Sequence, residues 1–108
     1  MATSWALASS TGTEGASGAV AGDVKAGRQK ALQCQDCHGL DGMAKLPEAS
    51  HLAGQNEAYL VKALKDFRSG TRKNDMMSLV APTLKDNDIE DLAAYYSAIE
   101  VTVGPPPK

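Results

Sequence analysis

The sequence predicts an all-α protein with three main helices joined by long loops. Apolar residues recur at helical spacing in three segments, at about 23–32, 56–69 and 86–99. No segment alternates apolar and polar residues in the manner of a confident β-strand. The loops at 39–55 and 70–85 are long for a chain of 108 residues, and long loops in a compact domain usually carry function. We therefore expect these loops to hold the functional site.

Each predicted helix begins at a residue suited to that position. Asp23 precedes the first helix, and Asn56 precedes the second, where Glu57 suits the positive end of the helix dipole. The acidic run at 86–88 marks the start of the third helix, and Gly70 ends the second. The apolar faces comprise Val24, Ala31 and Leu32 in the first helix, Leu60, Leu64 and Phe67 in the second, and Ile89, Leu92, Ala93, Tyr96 and Ile99 in the third.

Length and composition favour one domain whose core is partly filled by something other than protein. A chain of 108 residues has a thin core and often needs an additional cross-link or cofactor. Its aromatic content is only 5%. The net charge of -2 predicts no nucleic-acid partner, and the absence of a run of 18 apolar residues predicts no membrane-spanning segment.

Composition divides the chain into three parts. Residues 1–22 are rich in Ala, Ser, Thr and Gly, which predicts a flexible leader, either a signal-peptide remnant or an added start. Residues 23–100 form the predicted domain. Residues 101–108 include three consecutive prolines, so we expect an extended, exposed tail.

The five residues Cys34-Gln35-Asp36-Cys37-His38 contain both cysteines of the chain. This C-x-x-C-H spacing is the attachment signature of a c-type haem. The two thiols form bonds to the vinyl groups of the porphyrin, and the histidine binds the iron from one face. The motif therefore predicts one covalent haem c, with Cys34 and Cys37 as its attachment points and His38 as a metal ligand.

Three other interpretations of the motif explain less of it. A thioredoxin-like dithiol needs a βαβ context, which the surrounding sequence lacks. A zinc site usually takes four ligands, which His38 and His51 would have to complete, but His38 is badly placed to share a metal with its neighbour Cys37. A structural disulfide leaves the histidine unexplained. A haem accounts for all three functional side chains.

The second axial ligand has four candidates in the sequence. Met43 follows His38 by only five residues and would have to turn around the edge of the ring. His51 lies in the loop on the same side as His38, where a histidine is more often solvated or hydrogen-bonded. Met76 and Met77 lie in the second loop, which is able to cover the opposite face, although adjacent methionines also serve as core fillers.

The chain resembles the class I cytochromes c, and most closely the bacterial cytochrome-c-four-like group, over about residues 22–100. The order and the spacing of its motifs agree with that family. The matching segments are Cys34–His38 with Gly39–Gly42, Leu52–Gln55 with Tyr59-Leu60, Phe67–Gly70, Asn74–Met77, and Asp88-Ile89 with Asp91–Tyr96. The resemblance implies the class I cytochrome c fold, in which helices and loops wrap one haem.

The resemblance also selects a distal ligand. In that family the axial methionine precedes the leucine before the last helix by seven residues, and counting back from Leu84 gives Met77. Two positions depart from the family pattern. Ser50 stands where a proline is usual, which leaves the hydrogen-bond partner of His38 open. Lys85 replaces the usual serine cap of the last helix, so we expect the cap to move to Asp86.

Further residues are expected around the haem. Predicted walls of the pocket are Leu52, Leu60, Leu64, Leu79 and Tyr96, all of which also suit an ordinary core. Predicted hydrogen-bond donors to a propionate are Gln55, Tyr59 and Arg72, although Arg72 also suits a solvated surface.

His/Met ligation of the iron would leave no open position, so the sequence predicts an electron-transfer protein rather than an enzyme. We expect a soluble periplasmic carrier, without a small-molecule substrate, that passes one electron from a dehydrogenase to a terminal oxidase or reductase. Its contacts with these redox proteins would be small and transient. The alternatives are a subunit of a larger redox complex, or a haem enzyme or gas sensor if the methionine is labile. One basic cluster suits either a solvated helix face or the steering of an acidic partner, and it comprises Lys62, Lys65, Arg68, Arg72 and Lys73.

Overall fold

Five α-helices make up the regular structure in a computed structural model that describes residues 22–108. We number them α1 (Val24–Lys30), α2 (Gln35–His38), α3 (Glu57–Ser69), α4 (Met77–Val80) and α5 (Asp86–Ser97). Short 3₁₀ turns at Ala31–Gln33 and Ala81–Thr83 follow α1 and α4. No strand occurs among the described residues, and the predicted all-α fold is confirmed. The predicted leader, except for residue 22, lies outside the described residues.

Helices α1 and α3 are capped by the residues expected from the sequence. The Asp23 carboxylate accepts the N–H of Lys25 at 3.0 Å. The carboxamide oxygen of Asn56 accepts the N–H of Tyr59 at 2.9 Å. Gly70 ends α3 in the left-handed conformation, with φ of 87°, which glycine adopts without steric cost.

The expected cap at Asp86 is wrong. The residue before the first turn of α5 is Lys85, and Asp86 is already helical. A lysine side chain carries no hydrogen-bond acceptor, so it does not cap the helix itself. The carboxylate of Asp88 instead reaches back and accepts the N–H of Lys85 at 2.9 Å. The acidic first turn therefore stabilises this end from within the helix.

The first and last helices cross at very close range. Helix α1 packs more extensively against α5 than against any other described helix. Gly27 is buried at this crossing, and a Cβ added there would lie 2.0 Å from the carbonyl oxygen of Asp91. A Cβ at Gly22 would lie equally close, 2.0 Å from the carbonyl oxygen of Glu90. The close approach of the two segments therefore depends on the absence of a side chain at Gly27 and at Gly22.

The buried core lies on the inner side of this crossing and beneath α3. Its buried members are Ala31, Leu60, Leu84, Ile89, Leu92, Ala93 and Tyr96. Cys34, Leu52 and Leu64 are partly buried and pack against this cluster. The beginning of the C-x-x-C-H segment is thus attached to the core through Cys34.

An ion-pair cluster joins α1 to α5 at the surface edge of the crossing. The ammonium of Lys30 lies 2.9 Å from the carboxylate of Asp88 and 2.6 Å from that of Asp91. Asp91 is 9% exposed, and it also accepts the N–H of Asp23 at 2.8 Å. Both oxygens of the most buried carboxylate are therefore hydrogen-bonded, as burial of a charge requires.

The cluster predicts loss of stability in acid. Burial raises the pKa of Asp91, but hydrogen bonds from Lys30 and the Asp23 N–H outweigh it and hold that pKa below 3.8. The Lys85 N–H and Lys30 lower the pKa of Asp88 likewise. A carboxyl with a depressed folded pKa stabilises the fold above its unfolded pKa, here 3.8, and loses this contribution as the pH falls through the folded value. Lys30, whose pKa is raised from 10.5 by the two aspartates, loses its contribution only as the pH rises past 10.5.

We therefore expect Asp91→Asn to lower the free energy of unfolding at neutral pH by about 2 kcal/mol, because hydrogen bonds to charged groups contribute roughly that much. It should also flatten the decline of stability below pH 3.8. Urea unfolding as a function of pH measures both effects. The exposed carboxylate of Glu100 provides the control, Glu100→Gln. Equal acid profiles for Asp91→Asn and the unmodified chain would contradict the assignment.

Candidate haem site

The two cysteines and the histidine lie together on one turn of the chain. Cys34 is the residue between the first 3₁₀ turn and α2, and α2 carries Cys37 and His38. No disulfide joins Cys34 to Cys37, and both side chains are half-buried. Because they are three residues apart on a helical turn, their side chains lie on the same side of it. This arrangement suits two bonds to one flat ligand.

Burial raises the pKa of the Cys34 thiol to about 11, although the neighbouring Tyr96 hydroxyl lowers it in part. Before a haem is attached, Cys34 is therefore a neutral thiol at neutral pH. The hydroxyl of Tyr96 also donates to the carbonyl of Gly39 at 3.2 Å, and that of Tyr95 donates to the carbonyl of Leu40. The two tyrosines of α5 thus hold the chain directly after His38.

The imidazole of His38 is oriented by a backbone carbonyl. Its Nδ1 lies 2.8 Å from the carbonyl oxygen of Ser50. Since a carbonyl only accepts, Nδ1 carries the proton and Nε2 keeps its lone pair for a metal. This contact identifies the partner of His38 that the sequence left open. Any residue at position 50 offers a carbonyl, so the missing proline does not remove the hydrogen bond.

The loop that carries Ser50 is fastened to the turn after His38. The carbonyl of Gly42 accepts the N–H of Leu52 at 2.8 Å and that of Ala53 at 3.0 Å. The N–H of Lys45 donates to the carbonyl of Cys37 at 2.7 Å. These bonds fix Ser50 relative to His38, which is what an oriented metal ligand needs.

His51 and Met43 lie on this same loop. His51 is exposed, and its Nδ1 accepts the N–H of Ala44 at 2.9 Å, so that nitrogen is already engaged. Met43 is 43% exposed. Among the described residues no group of three or more His, Cys, Asp or Glu side chains is placed to hold a metal ion, so the four-ligand zinc alternative is not formed there.

The second loop presents its two methionines differently. Met76 is 56% exposed, whereas Met77 is half-buried at the first position of α4. The side-chain oxygen of Asn74 accepts the N–H of both residues at 3.0 Å. Met77 is therefore the more buried of the two methionines, and Met76 is the more exposed to solvent.

The predicted pocket walls occupy different environments. Leu60 and Tyr96 are core residues, 5% and 3% exposed. Leu52 and Leu64 are half-buried against that core. Leu79 on α4 is 70% exposed, so it offers an apolar surface near Met77. The structure thus brings four of the five residues to one core and leaves Leu79 at its edge.

Two of the three predicted propionate ligands lie together. The guanidinium of Arg72 approaches the Tyr59 hydroxyl at 3.3 Å and lies 4.5 Å above the ring of Phe67. Gln55 is exposed, and its side-chain oxygen accepts the N–H of Asn56 at 2.9 Å. Arg72 is therefore placed by two aromatic residues, whereas Gln55 serves the start of α3.

Intramolecular ion pairs use part of the predicted basic cluster. Lys62 pairs with Asp66 at 2.6 Å, and Arg68 pairs with Asp86 at 2.7 Å. The charges within each pair cancel when they are seen from a distance well beyond their separation. The net positive charge that this face offers to a partner is therefore smaller than the number of its basic residues suggests.

Three further residues shape the candidate haem site although the sequence did not point to them: Ser50, Asn74 and Tyr95. Ser50 acts through its backbone, so its side chain gives no signal. Asn74 precedes two methionines in a loop, and an asparagine there is a recognisable turn residue. The hydroxyl of Tyr95 reaches a residue 55 positions away, and only the tertiary fold shows that contact.

This donor set fits a haem c. It provides two thiols on one turn, an imidazole with Nε2 available, and a half-buried thioether at the start of a separate helix, α4. Sulfur and imidazole nitrogen are the ligands of iron in low-spin cytochromes. None of the described helices combines the length and the apolar character needed to cross a bilayer.

Comparison with known proteins agrees with this geometry. The family model described as Cytochrome c matches residues 24–99. Cytochrome c4 of Pseudomonas aeruginosa is 42% identical over 84 residues, which are 78% of this chain and 42% of that protein. Cytochrome c-554(548) of Halomonas halodenitrificans is 43% identical over 83 residues, covering 74% of this chain and 100% of the relative.

Among solved structures, reduced recombinant cytochrome c4 from Pseudomonas stutzeri is similar, with a TM-score of 0.66 and 39% identity. That match covers 77% of this chain and 48% of the other. The chain thus spans about half the length of the cytochromes c4 that it matches, whereas it covers the whole of cytochrome c-554(548).

These matches confirm the class I cytochrome c fold and a haem c bound covalently through the two cysteines of the C-x-x-C-H motif, Cys34 and Cys37. The chain belongs to the cytochrome c family, close to the cytochrome c4 group.

Proposed function

We propose that this chain is a periplasmic one-electron carrier whose iron is bound by His38 and Met77. The observation that carries the proposal is that α2 presents one oriented imidazole beside the two cysteines, while the start of α4 presents one half-buried thioether. His38 is oriented by Ser50 with Nε2 available, and Met77 is the half-buried methionine of the second loop. A thioether in the second position favours the reduced state and leaves no site for oxygen or peroxide.

The haem supplies one-electron redox chemistry at its iron when it is bound. The protein holds it through Cys34 and Cys37 and orients the proximal imidazole through the Ser50 carbonyl. The apolar walls exclude water from its faces, which tunes the potential and limits reorganisation. We assign this role to Leu52, Leu60, Leu64, Leu79 and Tyr96.

Arg72 and Tyr59 are proposed to hydrogen-bond a propionate, and Gln55 is proposed as a third donor. The contact between the Arg72 guanidinium and the Tyr59 hydroxyl supports this role, because the two groups converge from a loop and a helix. Guanidinium groups bind carboxylates strongly through paired N–H donors. The stacking of Arg72 on Phe67 orients the donor before a propionate is bound.

We place the carrier domain at residues 23–100, followed by the tail at 101–108, which is exposed throughout. The leader at 1–22 remains a prediction. A bacterial c-type haem is attached outside the inner membrane, so the motif supports a periplasmic location. The proposed donor is a periplasmic dehydrogenase, and the proposed acceptor is an oxidase or reductase, each through a small transient interface.

Two variants test the attachment of the haem. We expect Cys34→Ala combined with Cys37→Ala to lose all haem that survives denaturing electrophoresis, because both thioether positions are gone. The unmodified chain should retain it. Asp36→Asn, a change between the two cysteines, is the control and should retain the haem as well. Retention by the double variant would contradict attachment at these residues.

A redox titration tests the carrier function. We expect the holoprotein to follow a one-electron Nernst curve that is reversible over repeated cycles, with a c-type α band in the reduced-minus-oxidised spectrum. A titration curve that requires two electrons would instead favour a haem enzyme. Catalytic reduction of oxygen by the reduced protein over repeated turnovers would favour it as well.

A further inference from the structure

The side chain of Asn74 organises the turn that carries Met77. Its Oδ1 accepts the N–H of Met76 and the N–H of Met77, both at 3.0 Å. These N–H groups lie at the start of α4, where a helix has no carbonyl of its own to bind them. One carboxamide oxygen thus satisfies both donors.

Asn74 is itself fixed by the same turn. Its N–H donates to the hydroxyl oxygen of Ser78 at 3.0 Å, and its carbonyl accepts the N–H of Ser78 at 2.9 Å. Four hydrogen bonds therefore tie the side chain and the backbone of Asn74 to residues 76–78. All four of these hydrogen bonds lie within residues 74–78.

A turn of this kind needs such support. Helix α4 has only four residues, and a helix this short is unstable without external contacts. The position at which α4 begins also decides which methionine lies inside, because adjacent residues on a helix point about 100° apart. Met77 is half-buried and Met76 is 56% exposed in the observed register.

We infer that Asn74 is a positioning residue for the distal ligand: its carboxamide holds the turn in the register that keeps Met77 directed at the iron. The inference rests on the proposed role of Met77. On this inference, the hydrogen bonds of Asn74 determine how readily the turn opens and releases Met77 from the iron.

The test measures how easily an added ligand displaces the methionine. Imidazole is titrated into the oxidised holoprotein, and loss of the near-infrared sulfur-to-iron band reports the displacement. We expect Asn74→Ala to tighten apparent imidazole binding by about fivefold, the factor by which a lost capping oxygen shifts a local equilibrium. Asn74→Asp keeps an acceptor and should restore binding close to that of the unmodified chain.

A matched variant separates positioning from general destabilisation. Asn56 caps α3 through the same chemistry, with its carboxamide oxygen 2.9 Å from the N–H of Tyr59. We expect Asn56→Ala to lower the unfolding midpoint as much as Asn74→Ala does, but to leave imidazole binding within twofold of the unmodified chain. Ser78→Ala, which removes one bond to Asn74, provides a second and milder variant and should tighten binding by about twofold.

Two results would overturn the inference. One is imidazole binding by both Asn74→Ala and Ser78→Ala that equals that of the unmodified chain. The other is an equal tightening of imidazole binding by Asn56→Ala. Absence of the sulfur-to-iron band from the unmodified oxidised protein is a different failure, because it would remove Met77 as the ligand and with it the proposed function.

Discussion

Met77→Ala is expected to lower the reduction potential by a substantial part of the ~0.8 V that axial ligands span. The same variant should bind carbon monoxide readily in the reduced state at neutral pH. Both effects would have one cause, since removal of the thioether would withdraw the proposed ligand that favours the reduced iron and would open a coordination position. Potentiometric titration and the reduced carbon monoxide difference spectrum measure them.

Met76→Ala is the matched control for this prediction. Met76 is the adjacent methionine and is 56% exposed, so its loss should leave the potential nearly unchanged and should not admit carbon monoxide. The reverse pattern, with a large effect at position 76 and none at 77, would make Met76 the ligand. A reduced unmodified protein that binds carbon monoxide at neutral pH would favour a haem enzyme or a gas sensor.

Gly27→Ala is expected to destabilise the fold by about 3 kcal/mol or more, at the upper end of the cost of overpacking a close contact. A Cβ at this position would lie 2.0 Å from the carbonyl oxygen of Asp91 and 2.7 Å from the Cβ of Tyr95. The first of these atoms is backbone, so relief requires α1 and α5 to move apart. Thermal unfolding should show a midpoint lower by more than about 10 °C.

Gly104→Ala provides the control for this substitution. Apart from the adjoining residues of the chain, no heavy atom lies within 4 Å of a Cβ at Gly104, and the residue is exposed in the tail. Its effect on the unfolding midpoint should be small. A Gly27→Ala protein that unfolds within about 2 °C of the unmodified chain would show that the two helices do not need this close crossing.

The sequence was sufficient where the determining interactions are local. Asp23, Asn56 and Gly70 mark the ends of helices because each acts on residues within three positions of itself. The start of α5 also depends on a local hydrogen bond, but its acceptor is Asp88 and not the expected cap, Asp86. Asp88 reaches back to Lys85 from inside the helix, whereas Asp86 pairs with Arg68 instead.

The sequence was insufficient where backbone atoms or distant residues act. The carbonyl of Ser50 orients His38 from 12 residues away, and a carbonyl has no signature in the sequence. The approach of Gly27 to Asp91 is set by the angle at which two helices cross, which periodicity does not encode. The contact of Arg72 with Tyr59 likewise spans 13 residues and two elements.

The near-infrared spectrum of the oxidised holoprotein at neutral pH tests the central claim most directly. An iron bound by His38 and Met77 predicts a weak sulfur-to-iron band in the unmodified chain and in Met76→Ala, and its complete loss in Met77→Ala. A spectrum without that band in the unmodified protein, or with the band intact in Met77→Ala, would contradict the closed His38/Met77 site.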